Sequence, residues 1–215
     1  SRADTRFLCL SATIPNAEEF RSWLQSLKDH PVETVFCNKR WVPLHHYIYS
    51  SHQGLIERNQ AQSIMSRRKN KKKKTRNQMV HPSRAIRQLE GKYPLLLFTF
   101  SRKQTEDEAE YLAKKHSFIQ DQMTQMEIKS ACDDRLSFEI RRLPSTKKLV
   151  FALQRGVGFH HAGLLPQQRV LVEELFSKGI LPILFATETF SVGINMPAKT
   201  VIIYGMKKFD GKRFR

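Results

Sequence analysis

Short unbroken apolar runs recur along the second half of this chain, separated by stretches whose apolar residues return every three or four positions. Pro94-Leu-Leu-Leu-Phe-Thr-Phe100, Val157-Gly-Phe-His160, Pro182-Ile-Leu-Phe-Ala186 and Thr200-Val-Ile-Ile-Tyr204 read as strands buried on both faces. Between them, Ser101 with Gln104 forms a capping-box pattern that predicts a helix ending near His116. Ser145 opens another, closed by Gly156, and Pro166 takes a first helical position ahead of Val170, Val172, Leu175 and Phe176, with Gly179 as the stop. Residues 118–143 carry mixed helical signals that periodicity does not divide. Strands alternating with helices imply a parallel sheet covered on both faces, a three-layer α/β fold.

The first half is patterned differently. Arg6 to Ala12 predicts a short strand, and Asn16 caps a helix through Leu27 with Glu18 and Glu19 at its positive end. Val32 to Cys37 and Arg40 to Tyr49 read as extended, Pro43 excluding helix from the latter. Gln53 to Leu89 predicts helix, basic loop, helix, and the change of composition there marks a domain boundary.

The segment after Ala186 carries the densest candidate chemistry. Thr187, Thr189 and Ser191 can donate to phosphate oxygens, Gly193 admits a ligand to the backbone, and Pro197 stiffens the exit. A loop at the carboxyl edge of an open parallel sheet is where such folds bind ligands. An ordinary surface loop with hydroxyls capping turns is the alternative from this segment alone.

Charge narrows the class of ligand. The 215 residues carry a formal net charge of +17, which points to a polyanion. Arg67 to Arg76 holds eight of those positive charges and no negative one, so the rest of the chain still carries +9. The run cannot bury apolar surface and reads as a mobile insertion attracting phosphate. No apolar stretch reaches the ~18 residues of a spanning helix, and no leader pattern opens the chain, so no membrane partner and an intracellular location, cytoplasmic rather than nuclear, are expected. Cys9, Cys37 and Cys132 lack ligand spacing and read as reduced, buried small hydrophobes. His160 and His161 fall on opposite faces of a strand, so no metal site is expected. Glu106-Asp-Glu-Ala-Glu110 reads as an exposed helix start.

Four segments in order carry a family resemblance: Leu10-Ser-Ala-Thr-Ile-Pro-Asn16, Phe98-Thr-Phe-Ser-Arg102, Gly158-Phe-His-His-Ala-Gly-Leu-Leu-Pro-Gln-Gln-Arg169 and Phe185-Ala-Thr-Glu-Thr-Phe-Ser-Val-Gly-Ile-Asn-Met-Pro197. They resemble motifs of the superkiller-type DExH-box RNA helicases of superfamily 2, and Lys207 to Arg215 resembles the segment after the fifth motif. The likeness covers nearly the whole chain outside the basic run. It implies a RecA-like fold: residues 1–38 as the end of a first RecA-like domain, 39–50 as crossing linker, 51–92 as helical lead-in with the basic run at 67–76, and 93–215 as the second RecA-like domain.

The resemblance further implies ATP, with Mg2+ held by the first domain, between the two domains, and an RNA strand, single-stranded or tailed, across both. Gly193 and Asn195 should then face the nucleotide, with aspartate common in relatives where Asn195 stands. Ser101, Arg102, Gly163, Arg169 and Thr187 should lie along the strand's phosphates, and Ser11 with Thr13 should couple hydrolysis to grip. The family moves 3′ to 5′, closing on ATP and loosening on hydrolysis, and an RNA-decay complex is an implied partner besides the first domain. The sequence holds no GxxxxGK[ST] loop, no Asp-Glu-x-His segment and no sixth motif, so this chain alone is expected not to hydrolyse ATP. The turn at Asp210-Gly211 falls in the family's strand-separating hairpin. Two other readings stay open: an inert basic RecA-like module holding RNA or an acidic partner, and a DNA-repair helicase of the same superfamily.

Overall fold

The computed structural model describes residues 7–11, 14–37, 39–50, 53–61, 81–191 and 197–205, in two compact units, Ser1–His45 and His46–Arg215. The first unit is built around helix α1 (Ala17–Ser26), which Asn16 precedes as expected. The Asn16 side chain makes no cap to the backbone and its Nδ2 donates instead to Glu19 Oε2. The strands expected at 6–12 and 32–37 are not formed among the described residues, and Phe7, Leu8, Leu10, Val35 and Phe36 are exposed. An extended run becomes a strand only when a neighbouring strand takes its N–H and C=O groups in a ladder, and no described strand of this unit lies beside either run; Val32 N–H donates instead to Gln25 Oε1. Cys9 and Cys37 lie on these exposed stretches, which corrects the expectation that they are buried; Cys132 alone is buried, and its thiol is pushed up to about 11 by burial.

The second unit opens with a hairpin, and a short helical stretch at 58–61 follows it. Strand β1 (Tyr47–Ser50) pairs antiparallel with β2 (Gly54–Glu57). Gly54 turns the chain at φ +71°, a left-handed conformation open to glycine, so Leu55-Ile56 serves the ladder and the helix predicted from Gln53 begins only at residue 58. Helix α2 (Pro82–Arg87) follows, with His81 Nδ1 accepting from the Ser83 amide as its cap. The basic run 67–76 lies outside the described residues.

The remainder alternates as the apolar runs predict. It comprises β3 (Leu95–Phe98), α3 (Arg102–Lys115), α4 (Gln122–Arg135), α5 (Phe138–Arg142), α6 (Pro144–Gln154), β4 (Val157–His160), α7 (Pro166–Ser177), β5 (Ile183–Ala186), a 3-10 turn (Glu188–Ser191) and β6 (Thr200–Ile203). The undivided stretch resolves into α4 and α5, started by Asp121 Oδ1 accepting from the Thr124 amide and Ser137 Oγ from the Ile140 amide. Helix α6 begins one residue before the predicted Ser145, with Pro144 in its first turn, and Gly156 at φ +79° ends it.

The four main strands are all parallel, in the order β4-β5-β3-β6. The step from β3 out to β4 and the step from β4 back to β5 run in opposite directions along the sheet. Right-handed crossovers therefore put α3 and α7 on opposite faces. Side chains agree: His160 reaches Glu173 on α7, whereas His161 reaches Glu106 on α3. This is the three-layer RecA-like sheet. Leu95, Leu97, Phe159, Ile183 and Phe185 are fully buried between the helices, each contributing about 1.5–3 kcal/mol.

Candidate nucleic-acid interface

Register fixes where the candidate residues stand. Phe98, Ala186 and His160 are aligned across β3, β5 and β4, so the three strands end level and Thr99, Thr187 and His161 leave the sheet side by side. Backbone bonds extend the ladder past this row: Thr99 N–H donates to the Ala186 carbonyl and Thr187 N–H to the His160 carbonyl. Ser101, Arg102, Gly163, Arg169 and Thr187 all belong to segments leaving this one carboxyl edge.

Ser101 starts α3: its Oγ accepts from the Gln104 amide at 3.4 Å, and its carbonyl takes both the Thr105 amide and hydroxyl. Only this half of the expected capping box is formed, because no Gln104 side-chain bond returns to the Ser101 amide. The Ser101 hydroxyl hydrogen remains available to an anion, and exposed Arg102 adds a guanidinium at the positive end of a 14-residue helix. Below them, the Thr99 and Thr105 hydroxyls lie 2.6 Å apart, both fully buried.

The loop after β4 is held from two sides. His161, 3% exposed, accepts the Gly163 amide at Nδ1 (3.1 Å), and its Nε2 lies 2.9 Å from Glu106 Oε1. An amide can only donate, so Nδ1 carries no hydrogen and the ring proton sits on Nε2, donated to Glu106. The Gly163 N–H is thus committed to the protein. Its missing side chain matters too, since a Cβ would stand 3.1 Å from His161 Nδ1 and 3.5 Å from Arg102 Cδ. Further along, Gln168 Oε1 accepts the Leu165 amide while its Nε2 donates to Thr146 Oγ1 on α6, both bonds buried or nearly so.

Arg169 is half-buried in the first turn of α7, and its Nε has no hydrogen-bond partner among the described residues. Burial is the main cause holding the His160 imidazole below its ordinary value; Glu173 opposes it and Arg169 adds to it. Thr187, 8% exposed, shares a 3.0 Å hydroxyl contact with Thr189. The edge therefore presents the Arg102 and Arg169 cations and free hydroxyl hydrogens, while its carboxylates Glu106 and Glu173 are engaged by the two histidines. No group of histidine, cysteine and acidic residues among the described residues could hold a metal.

Residues 137–212 match the helicase conserved C-terminal domain. The human exosome RNA helicase MTR4 is 35% identical over 99% of this chain and 23% of its own length, and the Arabidopsis thaliana DExH-box ATP-dependent RNA helicase DExH9 is 33% identical over 99% and 24%. This chain belongs to the superkiller-type superfamily 2 helicases. Human superkiller complex protein 2 is 31% identical over 97% of this chain and 19% of its own. The chain spans about a quarter of the length of the first two relatives and a fifth of the last. Of the residues expected from the motifs, Gly193, Asn195, Thr13 and the turn at Asp210-Gly211 lie outside the described residues, and Ser11 is exposed in the first unit.

Several contributors escaped sequence reading. Glu106, Glu173, Gln168 and Thr146 shape the edge, yet none was given a part in the site from the sequence, although Gln168 falls inside the third motif segment and Glu106 opens the acidic run. The acidic run from Glu106 sits mid-helix rather than at an exposed start, because α3 begins at Arg102: Glu106 serves His161, Glu110 pairs with Lys114 and Lys148, and the Glu108 side chain is mostly covered beside His81. Gln168 had a usable signal, since glutamine at the third position of a proline-led helix suits reaching back to the residue before it.

Proposed function

We propose that this chain supplies the second RecA-like domain of an ATP-dependent RNA helicase, residues 93–215, together with the end of the first such domain (1–38), the linker (39–50) and a lead-in bearing the basic run (51–92). One observation carries the reading: the level carboxyl edge, where Ser101, Arg102, Arg169 and Thr187 converge from segments worded like helicase motifs. Arg102 and Arg169 set a positive field along that edge, the Ser101 and Thr187 hydroxyls donate to non-bridging phosphate oxygens, and none of these contacts reads a base. Grip is therefore independent of sequence and weakens with salt.

ATP, with Mg2+ held by the first domain, would supply the phosphoryl transfer that drives movement 3′ to 5′. Gly193 and Asn195 are the residues of this chain that would line its pocket. The relatives' names favour RNA over DNA, and those of MTR4 and superkiller complex protein 2 point to an RNA-decay assembly as partner. Arg169→Ala and Thr187→Ala in the full-length protein are each expected to raise the RNA concentration for half-maximal ATPase stimulation about three- to tenfold, the size of one lost contact. Unchanged stimulation in both variants overturns the reading, and equal stimulation by DNA at the same salt turns it toward a DNA helicase.

A further inference from the structure

Five residues converge where the α3 start meets the loop after β4, Arg102, Glu106, Phe159, His161 and Gly163, and only Arg102 and Gly163 were expected along the strand's phosphates. The third is His161, which touches both partners' segments. Its Nε2–H holds Glu106 Oε1 at 2.9 Å, one turn along α3 from Arg102, and its Nδ1 holds the Gly163 amide at 3.1 Å. Phe159 lies parallel to the ring at 11° and 6.1 Å between centroids, so the imidazole has one seat. Gly163 brings the loop close enough that a Cβ there would touch both the imidazole and the Arg102 stem.

We infer that His161 is a positioning residue that joins the two halves of the strand-binding edge, the α3 start with Ser101 and Arg102 and the loop with Gly163 leading to Arg169, and that it does so only as the neutral imidazole protonated at Nε2. The inference rests on the proposed reading of that edge as the track of an RNA strand. The reason is the donor count. A second proton would place an N–H on Nδ1 facing the Gly163 N–H, two donors with no acceptor between them. The loop must then move away from Arg102.

Among the described residues, the charged groups facing the ring are Glu106 and Arg102 from α3, with His160 next along the chain; Phe159 and the Gly163 amide also lie against it. Burial holds the imidazole below its ordinary value, Glu106 opposes this, and Arg102 adds to it. The joined state is thus complete at neutral pH and is lost as pH falls through the folded value, below about 6.5. This sign is diagnostic. Acid makes the protein as a whole more positive and by itself tightens RNA, whereas release of this loop weakens it.

The test uses the full-length protein and a single-stranded homopolymeric RNA, reading its half-saturating concentration in ATPase stimulation and the rate at saturation. Glu106 is one-third exposed, so its variants remain folded where a variant of buried His161 fails. Glu106→Ala at pH 7.5 is expected to raise half-saturation about three- to tenfold with the saturated rate within about twofold, the signature of misplaced binding groups. Glu106→Gln keeps an acceptor for Nε2–H and is expected to restore binding to within about twofold at pH 7.5. Having lost the carboxylate that favours imidazolium, it should also carry the acid weakening to lower pH than in the parent protein.

An Ala variant indistinguishable from the parent, a Gln variant as weak as Ala, or no acid weakening in the parent each overturns the inference. If Arg169→Ala and Thr187→Ala weaken RNA while Glu106→Ala does not, the role of His161 alone falls. If none of the three matters, the track itself falls.

Discussion

Gln168 is the residue whose loss should be felt most for its size. Its amide bridges the Leu165 N–H and the Thr146 hydroxyl within the fold, and leucine would fill the space while satisfying neither. Gln168→Leu is expected to cost about 2–4 kcal/mol, two buried polar groups left unmade, seen as a lower urea midpoint at unchanged slope. Glu108 gives a second residue-level prediction. Its carboxyl is pushed up to about 7 by burial, with Asp107 adding, while His81 Nε2 stands 3.0 Å away without the alignment of a hydrogen bond. A carboxyl with a raised folded value supports the fold most while protonated, so its contribution declines as pH rises from about 4.5 toward 7. Glu108→Gln should therefore match the parent near pH 4.5 and melt higher at pH 8, in thermal scans at the two pH values. At this scale the sequence was legible where a residue acts on its own backbone neighbours. Ser101 as a cap followed from its spacing to Gln104, but Glu106 and His161 are 55 positions apart and only the fold makes them neighbours.

Among elements, two glycines that end helices offer a controlled comparison. Gly156 and Gly179 both lie at positive φ, +79° and +72°, yet a Cβ on Gly156 would stand 3.0–3.2 Å from Phe118 and Ile119 whereas one on Gly179 meets nothing within 4 Å. Gly179→Ala should cost about 1 kcal/mol for the left-handed backbone alone, and Gly156→Ala about 2–3 kcal/mol because the α6–β4 corner must also shift. Differential melting of the two variants checks the order. Which elements could be foreseen follows from the same physics. Strands of a covered parallel sheet are apolar on both faces, so β3, β4, β5 and β6 announce themselves as runs. The β1–β2 hairpin did not, because Tyr47 to Glu57 has no such run and its turn depends on one left-handed glycine. The expected strand at Arg6 to Ala12 failed for the opposite reason: an apolar run is present, but no described strand lies beside it.

For the whole molecule, charge is the property that no single contact explains. The run from Arg67 to Arg76 contributes eight of the +17, and replacing its basic residues with serine should flatten the dependence of RNA affinity on log salt while leaving the melting temperature in place. A melting temperature that falls with them would instead assign the run to the fold. Assembly has a second consequence, seen in the two histidines that end β4. His160 fastens the sheet to α7 through Glu173 and His161 fastens it to α3 through Glu106, so neighbours in the chain serve opposite layers. Strand side chains alternate, and deleting Val157, Gly158 or Phe159 would rotate each imidazole half a turn, offering His160 to the helix that His161 now holds. Both rings would keep a carboxylate within view, yet the amide of Gly163 would lose its acceptor. A frame-preserving loss of a single codon there would leave a sheet that still closes and an edge that no longer lines up.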